Sequence, residues 1–179
     1  MFIGKLDAAR RQLSTAIKLW FSGADPVSIH SLAYASHEII HRLYRRKGLD
    51  DLLYDSKALT DEQRSEFPRL LKESANFFKH ATREQQPDAE AFFSPYINEL
   101  FLIFSTIGLL RMGEKLNETE SAFVFWLYLR NPGWFVGDQT IKEHIPPEHL
   151  DEIRAVANSE FLNAFATLKS GLASRDYRK

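Results

Sequence analysis

The chain has 179 residues, of which 44% are apolar, and its formal charge at pH 7 is −1. Such a chain can form one domain with its own core, and it lacks the overall positive charge that attracts nucleic acid, although local basic patches stay open. It contains no cysteine, which excludes disulfides, thiolate metal ligands and cysteine nucleophiles and suits a reducing compartment.

Residues 1–7 and the longest apolar segment predict neither export nor a membrane span. Residues 1–7 include charged side chains and no apolar signal region, so we expect a cytoplasmic protein. The longest apolar segment, residues 100–110, is too short to span a bilayer, so no membrane association is expected.

Helical periodicity dominates the chain and no strand-like alternation is sustained, which predicts an all-α fold. A first helix is predicted from about Leu6 to Phe21, ending near Gly23. The second starts at Asp25-Pro26, an N-cap followed by proline, and ends near Arg46 before a glycine. Its core stripe is expected to contain Ile29, Leu32, Ala33, Ser36, Ile40 and Leu43.

The sequence pattern in the middle of the chain predicts two further long helices. After a short helical turn at residues 50–54, a capping box at Thr60 opens a helix that Pro68 kinks and that continues to about Ala81. A fourth helix is predicted from Ser94-Pro95 to Met112. Its inward positions are expected to be Ile97, Leu100, Phe101, Phe104, Ile107 and either Leu109 or Leu110.

The sequence pattern in the C-terminal third of the chain predicts shorter helices. Asn117 can cap a helix that reaches Arg130, and two more are expected over residues 147–158 and 159–170. The predicted architecture is therefore an antiparallel bundle of four main helices in residues 1–112. Residues 113–179 would form a helical extension packed on the same domain.

His37, Glu38 and His41 match H-E-x-x-H, in which two histidines on a helix bind zinc and the glutamate activates water. The glycine and third histidine of one zinc-peptidase class are absent, since Tyr44 and Lys47 stand there. A third ligand would have to come from Asp61 or Glu62. A zinc-dependent hydrolase is therefore kept as an alternative function, while no metal ligand and no cofactor is assigned.

The same helix carries a second stripe of amphipathic side chains. Such residues line the border of a core or an interface between protomers, so a homodimer is a natural expectation. The stripe consists of His30, Tyr34, His37, His41 and Tyr44.

The segment from Asn76 to His80 places an amide and an imidazole four residues apart, on one face of the third predicted helix. Together with the helical pair formed by residues 8–26 and 29–40, it resembles the HEPN domain. This family consists of small helical bundles found in toxin–antitoxin, abortive-infection and RNA-processing proteins. The resemblance covers roughly residues 6–112 and implies a helical, RNA-associated domain.

Active HEPN members have an arginine, then a polar residue, then a histidine four residues later, and they cleave RNA without a metal, usually as dimers. Asn76 and His80 match this pattern, whereas Ala75 stands in place of the arginine. Lys72 or Lys79 could supply a cation, but an ammonium lacks the planar fork of a guanidinium. We therefore assign no catalytic residue and expect RNA or nucleotide contacts from Asn76, His80, Lys79 and Lys72.

This interpretation places the contacts beside a groove bordered by His37, Glu38 and His41. Asn76 and His80 could equally tie their helix to its neighbours, because buried polar groups need hydrogen-bond partners. A further alternative is a non-enzymatic module that binds a partner protein through the aromatic C-terminal part. That part contains Trp126, Trp134 and Phe135.

Overall fold

The computed structural model describes residues 1–49, 52, 72–79, 90–131 and 147–176. Throughout these ranges the regular structure is helical, which confirms the predicted all-α fold. The helices are α1 (Lys5–Phe21), α2 (Pro26–Arg46), α3 (residues 72–79), α4 (Tyr96–Arg111), α5 (Glu118–Arg130), α6 (Pro147–Arg154) and α7 (Asn158–Asp176). The four-helix bundle arrangement stays a prediction.

The chain divides into two compact units. The first unit contains Met1–Ala16 and Asp25–Lys115, and the second contains Ile17–Ala24 and Leu116–Lys179. Helix α1 therefore contributes its N-terminal part to the first unit and its C-terminal end to the second. The predicted boundary at residue 112, and the packing of the extension, stay predictions. Among the described helices, none combines the length and the apolar character needed to cross a membrane.

Helix α2 begins and ends where its sequence signals lie. The Asp25 side chain accepts a hydrogen bond from the Ser28 amide at 2.7 Å, and proline occupies the first helical turn. Gly48 follows the last turn with a φ of 75°, a left-handed conformation that favours glycine. In the first unit, Ser36 Oγ donates to the Ala9 carbonyl at 2.9 Å, which fixes α2 against α1.

Helices α2 and α4 pack side by side in the first unit and run in the same direction. Near their starts, Asn98 Nδ2 donates to the Pro26 carbonyl at 2.9 Å. Near their ends, Lys47 Nζ donates to the Met112 carbonyl at 2.9 Å. Between these contacts the helices approach closely at Gly108, where an added Cβ would lie 2.9 Å from Ile40 Cγ2.

The buried face of α4 differs from its predicted apolar face. Leu109 is buried and Leu110 is 47% exposed, so the first of the two predicted alternatives faces inward. Three polar residues, Asn98, Ser105 and Thr106, are buried on this helix. Thr106 Oγ1 donates to the Leu102 carbonyl at 2.7 Å, which is how its hydroxyl is accommodated inside the helix.

The short α3 is the described part of the third predicted helix. The predicted turn at residues 50–54, apart from buried Leu52, and the capping box and kink at residues 60–68 lie outside the described residues.

The second unit is organised around an aromatic cluster. Phe21 and Phe161 stack at 5.4 Å between ring centroids, and Trp20 meets Trp126 edge to face at 4.7 Å. Trp126 is 7% exposed, and its Nε1 donates to Asn158 Oδ1 at 3.1 Å. This does not favour a contribution of Trp126 to the alternative of partner binding through the aromatic C-terminal part, because its ring is part of the core. Trp134 and Phe135 lie outside the described residues.

Helices α5 to α7 build the rest of this unit. Asn117 caps α5 as predicted, in a reciprocal capping box with Glu120. Helix α6 ends at Arg154, earlier than predicted, and α7 begins at Asn158 and continues to Asp176.

Candidate functional site

The exposed face of α3 carries three of the four predicted contact residues. Lys72, Asn76 and Lys79 follow one another at helical spacings of four and three, so they lie on one face, and each is exposed. Ala75 lies at the border of this face, and its short side chain is 1% exposed. His80 lies outside the described residues, so its pairing with Asn76 stays a prediction.

Lys79 connects α3 to α2. Its Nζ lies 4.7 Å from the centroid of the Tyr34 ring, a cation–π contact that holds the ammonium over α2. Burial, with a smaller contribution from the Glu38 carboxylate, raises the pKa of Tyr34 to about 12. The phenol therefore stays protonated at neutral pH and can donate a hydrogen bond.

The three predicted groove residues lie at different depths on α2. Glu38 is partly exposed and pairs with Arg42 at 2.7 Å. His41 is half-buried, and its ring centroid lies 5.8 Å from that of His37. His37 is fully buried, with its ring 5.3 Å from Phe101, so it lies inside the first unit and does not reach the surface.

The residues of the second stripe of α2 are more deeply buried than residues at the border of a core. His30, Tyr34, His37 and Tyr44 are all buried, and only His41 remains half-exposed. The reason is that α4 covers this side of α2, with Phe101 against three of these rings. Burial, with a smaller contribution from His41, lowers the pKa of His37 to about 3. His37 is therefore neutral at physiological pH.

The arrangement of these histidines and acidic side chains does not support metal binding. Within the described ranges, no three histidine or acidic side chains are grouped so that they could hold a metal ion. The acidic candidates Asp61 and Glu62 lie outside those ranges. Since catalytic zinc must bind water or substrate, the full burial of His37 does not favour the zinc-hydrolase alternative either.

A buried polar pair that sequence reasoning did not single out lies beside the α3 face. His30 Nδ1 is 2.8 Å from Asn98 Oδ1. The amide orientation follows from its other end, since Asn98 Nδ2 donates to the Pro26 carbonyl. Because Asn98 Oδ1 can only accept, Nδ1 must carry the ring proton, and Nε2 presents a lone pair.

Aromatic rings surround this imidazole. Their centroids lie between 5.0 and 6.3 Å from the imidazole centroid. Burial lowers the pKa of His30, and the nearby Lys79 charge adds to this effect, while the bond to Asn98 opposes it. His30 is therefore neutral as well. The rings belong to Tyr34, Phe78, Phe93 and Phe101.

Comparisons with protein-family models, with curated proteins and with solved structures found no match for this chain. Function is therefore inferred from the side chains of the first unit, namely the exposed face of α3 and the buried histidine beside it.

Proposed function

We propose that this protein is a HEPN-like helical protein that binds RNA or nucleotide through the face of α3 formed by Lys72, Asn76 and Lys79, without strong ribonuclease activity. The observation that supports this best is the exposure of all three side chains on a single helix face. Lysines neutralise phosphates, and an amide can donate to and accept from base edges or the ribose 2′-hydroxyl.

The contact between Lys79 and Tyr34 strengthens the argument for binding. A lysine held over a ring loses less side-chain entropy when it meets a phosphate than a freely rotating lysine does. The exposed Asn76 lies between the two lysines on the helix, so one nucleotide could contact cation and amide together.

The environment of Ala75 argues against strong cleavage. In the family that the chain resembles, this position holds the arginine that stabilises charge on the phosphate. Here the side chain is an alanine turned into the interior, at 1% exposure. A methyl group inside the core cannot stabilise an oxyanion, so we propose that the protein binds RNA or nucleotide without cleaving RNA efficiently.

The test is fluorescence anisotropy with labelled single-stranded RNA across a range of salt concentrations. Lys72→Ala with Lys79→Ala should weaken binding about tenfold, and the slope of log affinity against log salt should fall by about 1.4, or roughly 0.7 per lost phosphate contact. A matched control, Lys18→Ala with Lys115→Ala, removes the same charge from exposed positions elsewhere and should bind as the wild type does. Equal weakening in both double variants, or no binding by the wild type, contradicts the proposal.

The same RNA, incubated with the protein and a chelator, tests the catalytic half of the proposal. The RNA should remain intact. Cleavage that persists in chelator and disappears in His80→Ala would instead make the protein a metal-independent ribonuclease.

A second candidate function, association with a partner protein, is favoured by one observation in the first unit. Phe92 precedes α4 and Tyr96 is its first residue, and the two side chains are 93% and 83% exposed. Large exposed aromatic side chains are typical of protein interfaces. We propose a second copy of the chain as this partner, in a homodimer. Light scattering should show a dimer that Phe92→Ser with Tyr96→Ser converts to a monomer, whereas a wild-type monomer at all concentrations overturns this candidate.

A further inference from the structure

We propose that His30 forms a nucleobase subsite, in which its Nε2 accepts a hydrogen bond from an amino group of the base and the rings of Phe78 and Phe93 enclose that base. This inference rests on the proposed function, because it places the base of the bound nucleotide next to the phosphate-contacting face of α3.

His30 presents a buried hydrogen-bond acceptor, Nε2, that the described residues do not use. His30 is fully buried, and among the described residues no donor lies within hydrogen-bond distance of Nε2. The bond between Nδ1 and Asn98 fixes the tautomer of the neutral ring, and in this tautomer Nε2 can only accept. Buried acceptors in folded proteins are nearly always paired. A group that donates an N–H is therefore the chemical complement of this atom.

The side chains around the imidazole are of the kind that holds nucleobases. Phe78 and Phe93 approach it with ring centroids at 5.7 and 5.0 Å, and both are half-buried. Bases of single-stranded RNA are commonly held by stacking on aromatic rings, combined with hydrogen bonds to their edges. The first unit thus supplies both elements of base recognition at one position.

The imidazole of His30 and the ammonium of Lys79 share a neighbouring ring. Phe78 directly precedes Lys79, whose ammonium lies over Tyr34, another ring beside His30. Phe93 belongs to the non-helical residues that precede α4, and its neighbour Phe92 is exposed. Rotation of Phe93 would open the way to His30 without unwinding a helix, and the same ring would then cover the bound base. Phosphate and base of one nucleotide would then contact neighbouring residues of α3.

Isothermal titration of the full chain with three small probes tests the subsite. Adenosine 5′-monophosphate has an amino group, purine riboside 5′-monophosphate lacks it, and ribose 5-phosphate lacks the base. We expect adenosine monophosphate to bind about tenfold more tightly than purine riboside monophosphate, because only the former supplies the donor. Ribose 5-phosphate should bind most weakly. His30→Phe, which keeps an aromatic ring, should abolish the difference between the first two probes.

A measurement on the wild type keeps the test independent of how well that variant folds. In nitrogen-15 spectra of labelled protein, the Nε2 resonance of His30 should move upfield when adenosine monophosphate is added and stay in place with ribose 5-phosphate. An Nε2 resonance that is already shifted in the free protein and does not respond overturns the subsite.

The outcomes separate the two proposals. If all three probes bind equally and the α3 lysine variants weaken each of them, the subsite is wrong and the proposed function stands. If neither RNA nor any probe binds, both are overturned.

Discussion

His30 Nδ1 and Asn98 Oδ1 lie 2.8 Å apart, and this hydrogen bond joins α2 to α4 inside the first unit. Asn98 uses both ends of its amide, since its Nδ2 donates to the Pro26 carbonyl at the start of α2. Both side chains are buried, so removal of one partner leaves the polar group of the other without its hydrogen bond inside the protein. The pair therefore contributes to stability as well as to the orientation of the histidine.

Asn98→Ala should destabilise the protein by about 2–4 kcal/mol, because it leaves a buried ring N–H and a backbone carbonyl without their partner. Urea denaturation followed by circular dichroism measures the change. Asn163→Ala, at an exposed position of α7, is the matched control and should change the free energy of unfolding by less than about 0.5 kcal/mol. Equal stability of the two variants would show that the buried network contributes little.

Much of the helical framework could be predicted from local signals in the sequence. The start of α2 at Asp25-Pro26, its end before Gly48 and the cap of α5 at Asn117 all depend on neighbouring residues, so the chain itself contains the information. The shared helix face of Lys72, Asn76 and Lys79 also follows from their spacing.

The buried site could not be predicted in the same way. An amphipathic stripe shows that a helix face is covered, but not which element covers it, and for His37 the cover is α4 with Phe101. Asn98 lies on a face of α4 that also buries Ser105 and Thr106, so apolar periodicity does not select it. Its partner, His30, is distant in sequence, and only the parallel packing of α2 and α4 brings them together.

Acid should destabilise the first unit through His37. The pKa of His37 falls from 6.5, the ordinary value for a histidine side chain, to about 3 on folding. Below about pH 6.5 the unfolded chain therefore binds a proton at this histidine, whereas the folded chain does not. The free energy of unfolding is thus highest above this pH and decreases as the pH falls toward 3. When the pH is lowered from about 7 to about 5, His37 alone should reduce the free energy of unfolding by about 2 kcal/mol.

His37→Phe isolates this contribution, because the phenyl ring does not titrate. Urea unfolding at several pH values should show a loss between about pH 7 and pH 5 that is smaller in the variant by about 2 kcal/mol. Between about pH 7 and pH 8, where the histidine is neutral in both states, the two proteins should follow parallel curves. Parallel curves over the whole range would mean that His37 titrates similarly in the folded and unfolded chain.

Gly108 should be intolerant of a methyl group, because α2 and α4 approach too closely there. A Cβ would lie 2.9 Å from Ile40 Cγ2 and 3.0 Å from Leu52 Cδ2, both side chains of buried residues. Gly108→Ala should therefore destabilise the protein by about 1–3 kcal/mol, as overpacked cores do. Thermal or urea unfolding measures this loss.

Gly171 provides the matched control, because it is also helical but has no atom within 4 Å of an added Cβ. Gly171→Ala should be neutral or stabilise the protein by about 0.5 kcal/mol through helix propensity. If both glycines tolerate alanine equally, the close approach of α2 and α4 at Gly108 is refuted.

The capping box at the start of α5 tests the second unit. Asn117 Oδ1 accepts from the Glu120 amide at 2.9 Å, and Glu120 Oε2 accepts from the Asn117 amide at 2.8 Å. Asn117→Ala removes the first acceptor and should lower the free energy of unfolding by about 1 kcal/mol, whereas Asn117→Ser keeps an acceptor and should stay within about 0.3 kcal/mol of the wild type. Hydrogen exchange at the first amides of α5 localises the effect, since faster exchange in the alanine variant alone is what loss of the cap requires. Equal exchange in both variants would mean that other contacts hold the start of α5.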